Sequence, residues 1–232
     1  MIDQTASPPT PSSGRRLFGC LFEIVETVVL TLVLFWVIQS FVAQPFQVQQ
    51  VSMLNTIRDG QFVLVDRLTP RLDPYHRGDI IVFRPPNGIR ESPGGEPFIK
   101  RVIGVAGDTV ELRRGTVYVD GVALDEPYVF EVDGAAQPTR TENGETSWTI
   151  EPGQLFVMGD HREASDDSRS FGPIQVSDVI GRAWLRYWPL DSFGILPTAR
   201  HPELAEPSPS AKASSKPAKP TTKPKPTRTP RP

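Results

Sequence analysis

The feature that most constrains what this 232-residue chain can fold into is an apolar run near its start. No residue from Thr27 to Ile57 is charged. The most apolar stretch, Leu17 to Val42, reads LFGCLFEIVETVVLTLVLFWVIQSFV. About 20 helical residues rising ~1.5 Å each span ~30 Å, the hydrocarbon thickness of one bilayer. A single transmembrane helix is therefore expected over 17–43, with 1–16 as a disordered cytoplasmic stub. Glu23 and Glu26 sit near the entry end, where a carboxyl still reaches headgroups or water. Arg15 and Arg16 precede the run and the next basic residue is Arg58, so the positive-inside rule puts the N-terminus in the cytoplasm and the rest outside. Two other readings fare worse. A cleaved signal peptide ending at Ala43 places bulky Phe41 where a small residue is wanted, and the run is long for such a signal. A buried helix needs a body large enough to enclose it.

Charge divides the remainder. The formal net charge is −2, yet residues 207–232 carry seven basic residues (Lys212, Lys216, Lys219, Lys223, Lys225, Arg228, Arg231) and no acid, leaving −9 for residues 1–206. That tail also holds 8 of the 25 prolines, so it is expected to stay disordered, on the same side of the membrane as the body. The basic residues that stand out lie in it, which argues against a nucleic-acid partner. One cysteine, Cys20, permits no intrachain disulfide, and three histidines leave little room for a metal site. No cofactor is expected.

The body, 44–206, reads as β-rich. Gln61–Asp66, Asp79–Phe83, Thr109–Leu112, Thr116–Val119, Leu155–Met158 and Ile180–Tyr187 are short strand-like runs. Arg113-Arg114-Gly115 and Asp120-Gly121 are tight-turn signals. No long amphipathic helix follows residue 46.

Four segments stand out together. They are Val51–Ile57 (VSMLNTI), Arg77–Phe83 (RGDIIVF), Phe98–Asp108 (FIKRVIGVAGD) and Gly159–Pro173 (GDHREASDDSRSFGP). Each has a plain structural reading on its own: a turn serine, a turn opening a strand, a surface lysine and a solvated loop. In this order, behind an apolar anchor, they resemble the type I signal peptidases, membrane-anchored Ser/Lys endopeptidases of bacterial protein export. The Ser-Met motif is similar to Ser52-Met53, the Arg-Gly-Asp segment to Arg77–Phe83, the Lys-Arg-Val-Ile-Gly segment to Lys100–Asp108, and the Gly-Asp-Asn-Arg segment to Gly159–Arg169, with His161 for Asn. The resemblance covers roughly residues 20–190.

It implies a mainly β fold: an all-β, signal-peptidase-like catalytic domain on one transmembrane helix, with the disordered tail behind. It implies Ser52 as nucleophile and Lys100 as general base. A lysine acts as base only when neutral, and lowering its pKa from ~10.4 to about 8 disfavours the ammonium by ~3 kcal/mol, which burial against apolar neighbours supplies. Ile99, Val102, Ile103 and Met53 are residues of that kind. By the same resemblance Ser165 orients the lysine, Asp167 and Arg169 form a bracing ion pair, and Asp160, Arg162 and Arg101 support the scaffold. The Ser52 N–H is one oxyanion donor and Gln50 a candidate second, where the family often has a small residue. Gln49, Asn55 and Ala106 replace frequent prolines. His161 is expected to be structural, since no Gly-x-Ser-x-Gly elbow exists, and His76 and His201 are expected on exposed loops. Phe46, Leu54, Phe62, Trp184, Tyr187 and Trp188 form either an apron dipping into lipid or part of a core.

The implied activity is removal of signal peptides from secretory preproteins at the outer face of the cytoplasmic membrane, near the export translocon. The alternatives are a catalytically inactive membrane-tethered β-domain that binds preproteins or scaffolds a partner, and a soluble self-cleaving repressor, which the anchor and the lack of a DNA-binding helix pair disfavour.

Overall fold

The structure, a computed structural model, describes residues 13–37, 43–86, 95–141 and 144–204. Within the apolar run lies helix α1 (Ser13–Val37). Its described part begins earlier than the expected 17–43 span, residues 38–42 lie outside the described residues, and Ala43 opens a strand. Residues 13–16 of the expected stub are therefore helical, while 1–12 and the tail 207–232 lie outside the described residues. The side chains described on α1, 21–36, are all exposed, in keeping with an apolar run that no other element covers. Among the described residues, no helix is long and apolar enough to cross a membrane.

The body is built of short strands: β1 (Ala43–Gln47), β2 (Phe62–Asp66), β3 (Ile80–Phe83), β4 (Phe98–Val105), β5 (Thr109–Arg113), β6 (Thr116–Val119), β7 (Val122–Ala123), β8 (Glu131–Val132), β9 (Ala135–Ala136), β10 (Ser147–Thr149), β11 (Gln154–Met158), β12 (Ile174–Gln175), β13 (Val179–Trp188) and β14 (Gly194–Ile195). An antiparallel sheet runs β1-β2-β13-β3-β4-β11-β12, with β14 paired to β13. A second sheet runs β10-β5-β6-β7, and β8-β9 is a separate hairpin. The turns at Arg114-Gly115 and Asp120-Gly121 carry positive φ at both positions, the geometry that two-residue hairpins require.

β3 and β4 sit inside the large sheet and are buried on both faces, which their near-continuous apolar sequence demands. Alternation sends their side chains into different cores. Ile80, Val82 and Ile99 join Met53, Ile57, Val63 and Val65. Ile81, Phe83, Phe98 and Val102 join Leu155, Val157 and Ile174. The smaller sheet packs Val110, Val117, Val119 and Trp148 against Ile103, Phe156 and Met158.

One sequence expectation fails at the C-terminal end of the body. His201 is buried, not exposed. The segment after β14 returns across the fold and buries Leu196 and Leu204 in two of the cores, so His201 is carried under it. There His201 pairs with Glu203 at 2.9 Å and meets the Tyr128 ring edge-on.

Candidate active site

The site begins with a turn. Val51–Ile57 folds back on itself through Leu54 N–H to the Val51 carbonyl and Ile57 N–H to the Met53 carbonyl, at 3.1 and 2.7 Å. Met53 and Ile57 point into the core and anchor it. Asn55 follows a cis peptide. Ser52 is carried inward with them and is 1% exposed.

Lys100 lies within β4, opposite Ile81 of β3 in the sheet register. Its face of the strand is therefore that of Phe98 and Val102. It has no exposed surface, although a lysine after two apolar residues reads at first as a surface side chain. Its Nζ donates to Ser52 Oγ at 2.7 Å and stands 4.7 Å from the centre of the Phe98 ring. The structure thus brings together the two residues that the motifs single out.

The loop 159–169 closes the site from the other side. The His161 N–H donates to the Ser52 carbonyl at 3.0 Å, while its ring packs 4.3 Å from that of Phe130. A Cβ on Gly159 would lie 2.3 Å from Ser165 Oγ and 2.6 Å from the Ser52 carbonyl oxygen, so only glycine lets this loop approach the serine turn. Ser165 Oγ donates to Asp167 Oδ2 at 2.6 Å, which fixes the direction of that hydroxyl. Asp167 also accepts from the Arg169 guanidinium and from the Gly159 N–H. Burial works against its charge, but the Arg169 guanidinium, with the Ser165 hydroxyl and the Gly159 N–H, outweighs that and holds the carboxyl below the usual range.

Arg101, next to Lys100, faces the opposite way along the strand. It is fully buried, and its donors are spent on fixed partners. Nε and Nη2 grip Asp160 at 2.9 and 2.7 Å, Nη1 reaches the carbonyls of Gly78 and Pro197, and Nη2 lies 3.3 Å from Thr56 Oγ1. Thr56 Oγ1 in turn donates to Asp160 Oδ2 at 2.5 Å. Arg162 is equally buried and pairs with Glu126 at 2.6 Å, and Arg77 grips Asp108. Asp160 and Arg162 therefore belong to two separate ion pairs. The sequence reading missed Thr56, Glu126 and Pro197 as partners. Thr56 lies within the Val51–Ile57 motif, but nothing near Glu126 or Pro197 marks either of them.

Gln50 is half-buried and lines a groove of about 480 Å³ with Pro45, Phe46, Gln47, Pro97 and Ile99. One wall is β1, which among the described residues pairs with β2 alone.

Comparison with known proteins identifies the frame. Residues 21–188 match the family described as signal peptidase, peptidase S26. The chain belongs to the S26 signal peptidases. It is 34% identical over 189 residues to a probable signal peptidase I-2 of Synechocystis, covering 82% of this chain and 83% of that one. It is 34% identical over 195 residues to a signal peptidase I of Leptolyngbya laminosa, covering 83% and 92%. It is 30% identical over 183 residues to signal peptidase IB of Staphylococcus aureus, covering 75% and 92%. The crystal structure of a signal peptidase I from Enterococcus faecalis is 34% identical and aligns over 47% of this chain and 97% of that one, with a TM-score of 0.39. In this signal peptidase the matched region runs from within α1 to the end of β13 and so takes in all four motifs.

Proposed function

We propose that the protein is a serine endopeptidase that removes N-terminal signal peptides from exported preproteins, with Ser52 as nucleophile and Lys100 as general base. The observation that carries this reading is the 2.7 Å bond between Lys100 Nζ and Ser52 Oγ, with both groups buried. A serine hydroxyl is inert until its proton is removed, and a lysine without solvent is disfavoured as an ammonium. The neutral amine takes the Oγ proton as Oγ attacks the scissile carbonyl carbon. The resulting ammonium returns that proton to the leaving amine. A water then hydrolyses the acyl-serine ester and releases the signal-peptide carboxylate. The Ser52 N–H and Gln50 stabilise the oxyanion. Ser165 orients Lys100, and the Asp167–Arg169 and Asp160–Arg101 pairs hold the loops that carry these groups.

The preprotein binds extended along β1, where backbone pairing supplies affinity and the groove selects small side chains. The three curated relatives compared above bear the name signal peptidase, which supports the same substrate class. α1 is the membrane anchor: its described side chains are exposed and, apart from Glu23, Glu26, Thr27 and Thr31, apolar, and lipid is the solvent that covers them. Trp184 and Trp188 are exposed and serve as an interfacial apron, while Phe46, Leu54, Phe62 and Tyr187 are half-buried and serve the fold. The catalytic body then works at the outer face of the cytoplasmic membrane, close to the export translocon.

The test is incubation of the purified full chain in detergent with a preprotein, followed by sequencing of the new N-terminus. A single cut after the signal segment, absent with Ser52→Ala, supports the reading. Undiminished cutting by Ser52→Ala overturns it.

A further inference from the structure

The β8–β9 hairpin has little burial of its own. Its strand residues Glu131, Val132, Ala135 and Ala136 are all exposed. A two-stranded hairpin alone is marginally stable in water, so this one is ordered from its base. Phe130 and Gln137 close that base, with the Gln137 N–H donating to the Phe130 carbonyl at 2.9 Å. Both residues also reach the loop 159–169. The Phe130 N–H donates to the Asp160 carbonyl at 2.9 Å, and the Phe130 ring lies 4.3 Å from that of His161 at a tilt of 46°. Buried Gln137 exchanges two bonds with Glu163: Oε1 accepts the Glu163 N–H at 3.3 Å, and Nε2 donates to Glu163 Oε2 at 3.4 Å.

His161 is where these ties meet the turn that carries Ser52, because its N–H donates to the Ser52 carbonyl at 3.0 Å. The peptide unit is planar, so holding this carbonyl fixes ψ of Ser52 and the direction of the bond that carries Oγ. Nδ1 of His161 is buried and meets no hydrogen-bond partner among the described residues. On that side packing locates the ring, and Phe130 is the ring it packs on. Two rings in such contact hold each other more firmly than buried area alone accounts for. A shift of the His161 N–H would carry the Ser52 carbonyl with it, and reacting groups displaced by about 1 Å lose about 10²-fold in rate.

We propose that Phe130, at the base of the β8–β9 hairpin, is a positioning residue: it holds His161 so that the His161 N–H fixes the Ser52 carbonyl and thereby aims Ser52 Oγ. This rests on Ser52 being the nucleophile. The test is a mutant cycle on the full chain in detergent, with kcat and KM measured on a preprotein-derived peptide and folding checked by urea unfolding. The variants are Phe130→Ala, Phe130→Tyr, Phe130→Leu, His161→Ala, and Phe130→Ala combined with His161→Ala. Folded Phe130→Ala should lose about tenfold or more in kcat with KM little changed. Phe130→Tyr restores the ring and should recover most of that loss. Phe130→Leu keeps an apolar side chain without the ring and should stay about threefold or more below wild type. Both residues act through one contact, so the double variant should be no worse than the worse single one. A wild-type kcat in folded Phe130→Ala, with only the unfolding midpoint lowered, would make Phe130 merely structural and overturn the proposal. A loss in KM alone, losses that multiply in the double variant, or a Phe130→Tyr no better than Phe130→Ala also overturn it. If Phe130→Ala does not fold, Phe130→Leu decides, and a wild-type kcat there overturns the proposal. Activity surviving Ser52→Ala sinks the underlying reading instead.

Discussion

Lys100 Nζ and Ser52 Oγ meet at 2.7 Å although 48 residues separate them in the chain. Strand alternation makes this possible. Of two successive β4 residues, Lys100 turns to the serine and Arg101 turns to Asp160 and Thr56. Thr56 lies in the same turn as Ser52, and Asp160 precedes the residue whose N–H holds the Ser52 carbonyl. The buried ion pair therefore sets the distance that its neighbour uses.

Arg101→Met should lower stability by about 3–5 kcal/mol, because it leaves the Asp160 carboxylate buried without its partner. Asp160→Asn should cost a similar amount. Urea unfolding of the wild-type and variant proteins checks this, and a loss under about 1 kcal/mol in both would show that the pair carries little.

Asp167 predicts an acid-sensitive contribution. Its folded-state pKa lies below the unfolded value, so its stabilisation is complete above the unfolded value of about 4 and is lost as pH falls through the folded one. The stability advantage of wild type over Asp167→Asn should be constant from pH 7 to about 5 and shrink below about 4. Denaturation midpoints across that range measure it. An advantage that grows on acidification contradicts the sign.

Gln50→Ala should reduce kcat by about 10²–10³ with KM nearly unchanged if the side-chain amide is the second oxyanion donor. A loss expressed in KM alone assigns Gln50 to the groove wall instead, and steady-state kinetics on one peptide separates the two.

Much of this was legible in the sequence where one signal dominates. Val-Ile-Leu runs bounded by turn residues gave the strands over 62–66, 80–83, 116–119 and 154–158 to within a residue or so. Arg114-Gly115 and Asp120-Gly121 marked their turns. Short strands such as Ala135–Ala136 and Ile174–Gln175 carry no pattern long enough to read. Lys100 shows the same limit in the site: its motif flagged it, but only the fold, by burying both faces of β4, explains how a lysine loses all its water. The Glu126 and Pro197 contacts lie far along the chain from their arginines and depend on tertiary packing alone.

A lysine base also predicts a pH profile. kcat/KM should rise with pH as Lys100 loses its proton, through an apparent pKa well below the ~10.4 of a free lysine. A flat profile from pH 6 to 10 counts against lysine in that role.

The central claim is that Ser52 and Lys100 act as one unit, and the most direct measurement is kcat/KM for Ser52→Ala, Lys100→Ala and the double variant on one preprotein. Each single change should remove about 10³-fold or more, and the double should be no worse than either. Wild-type cleavage by Lys100→Ala, or losses that multiply in the double variant, would contradict it.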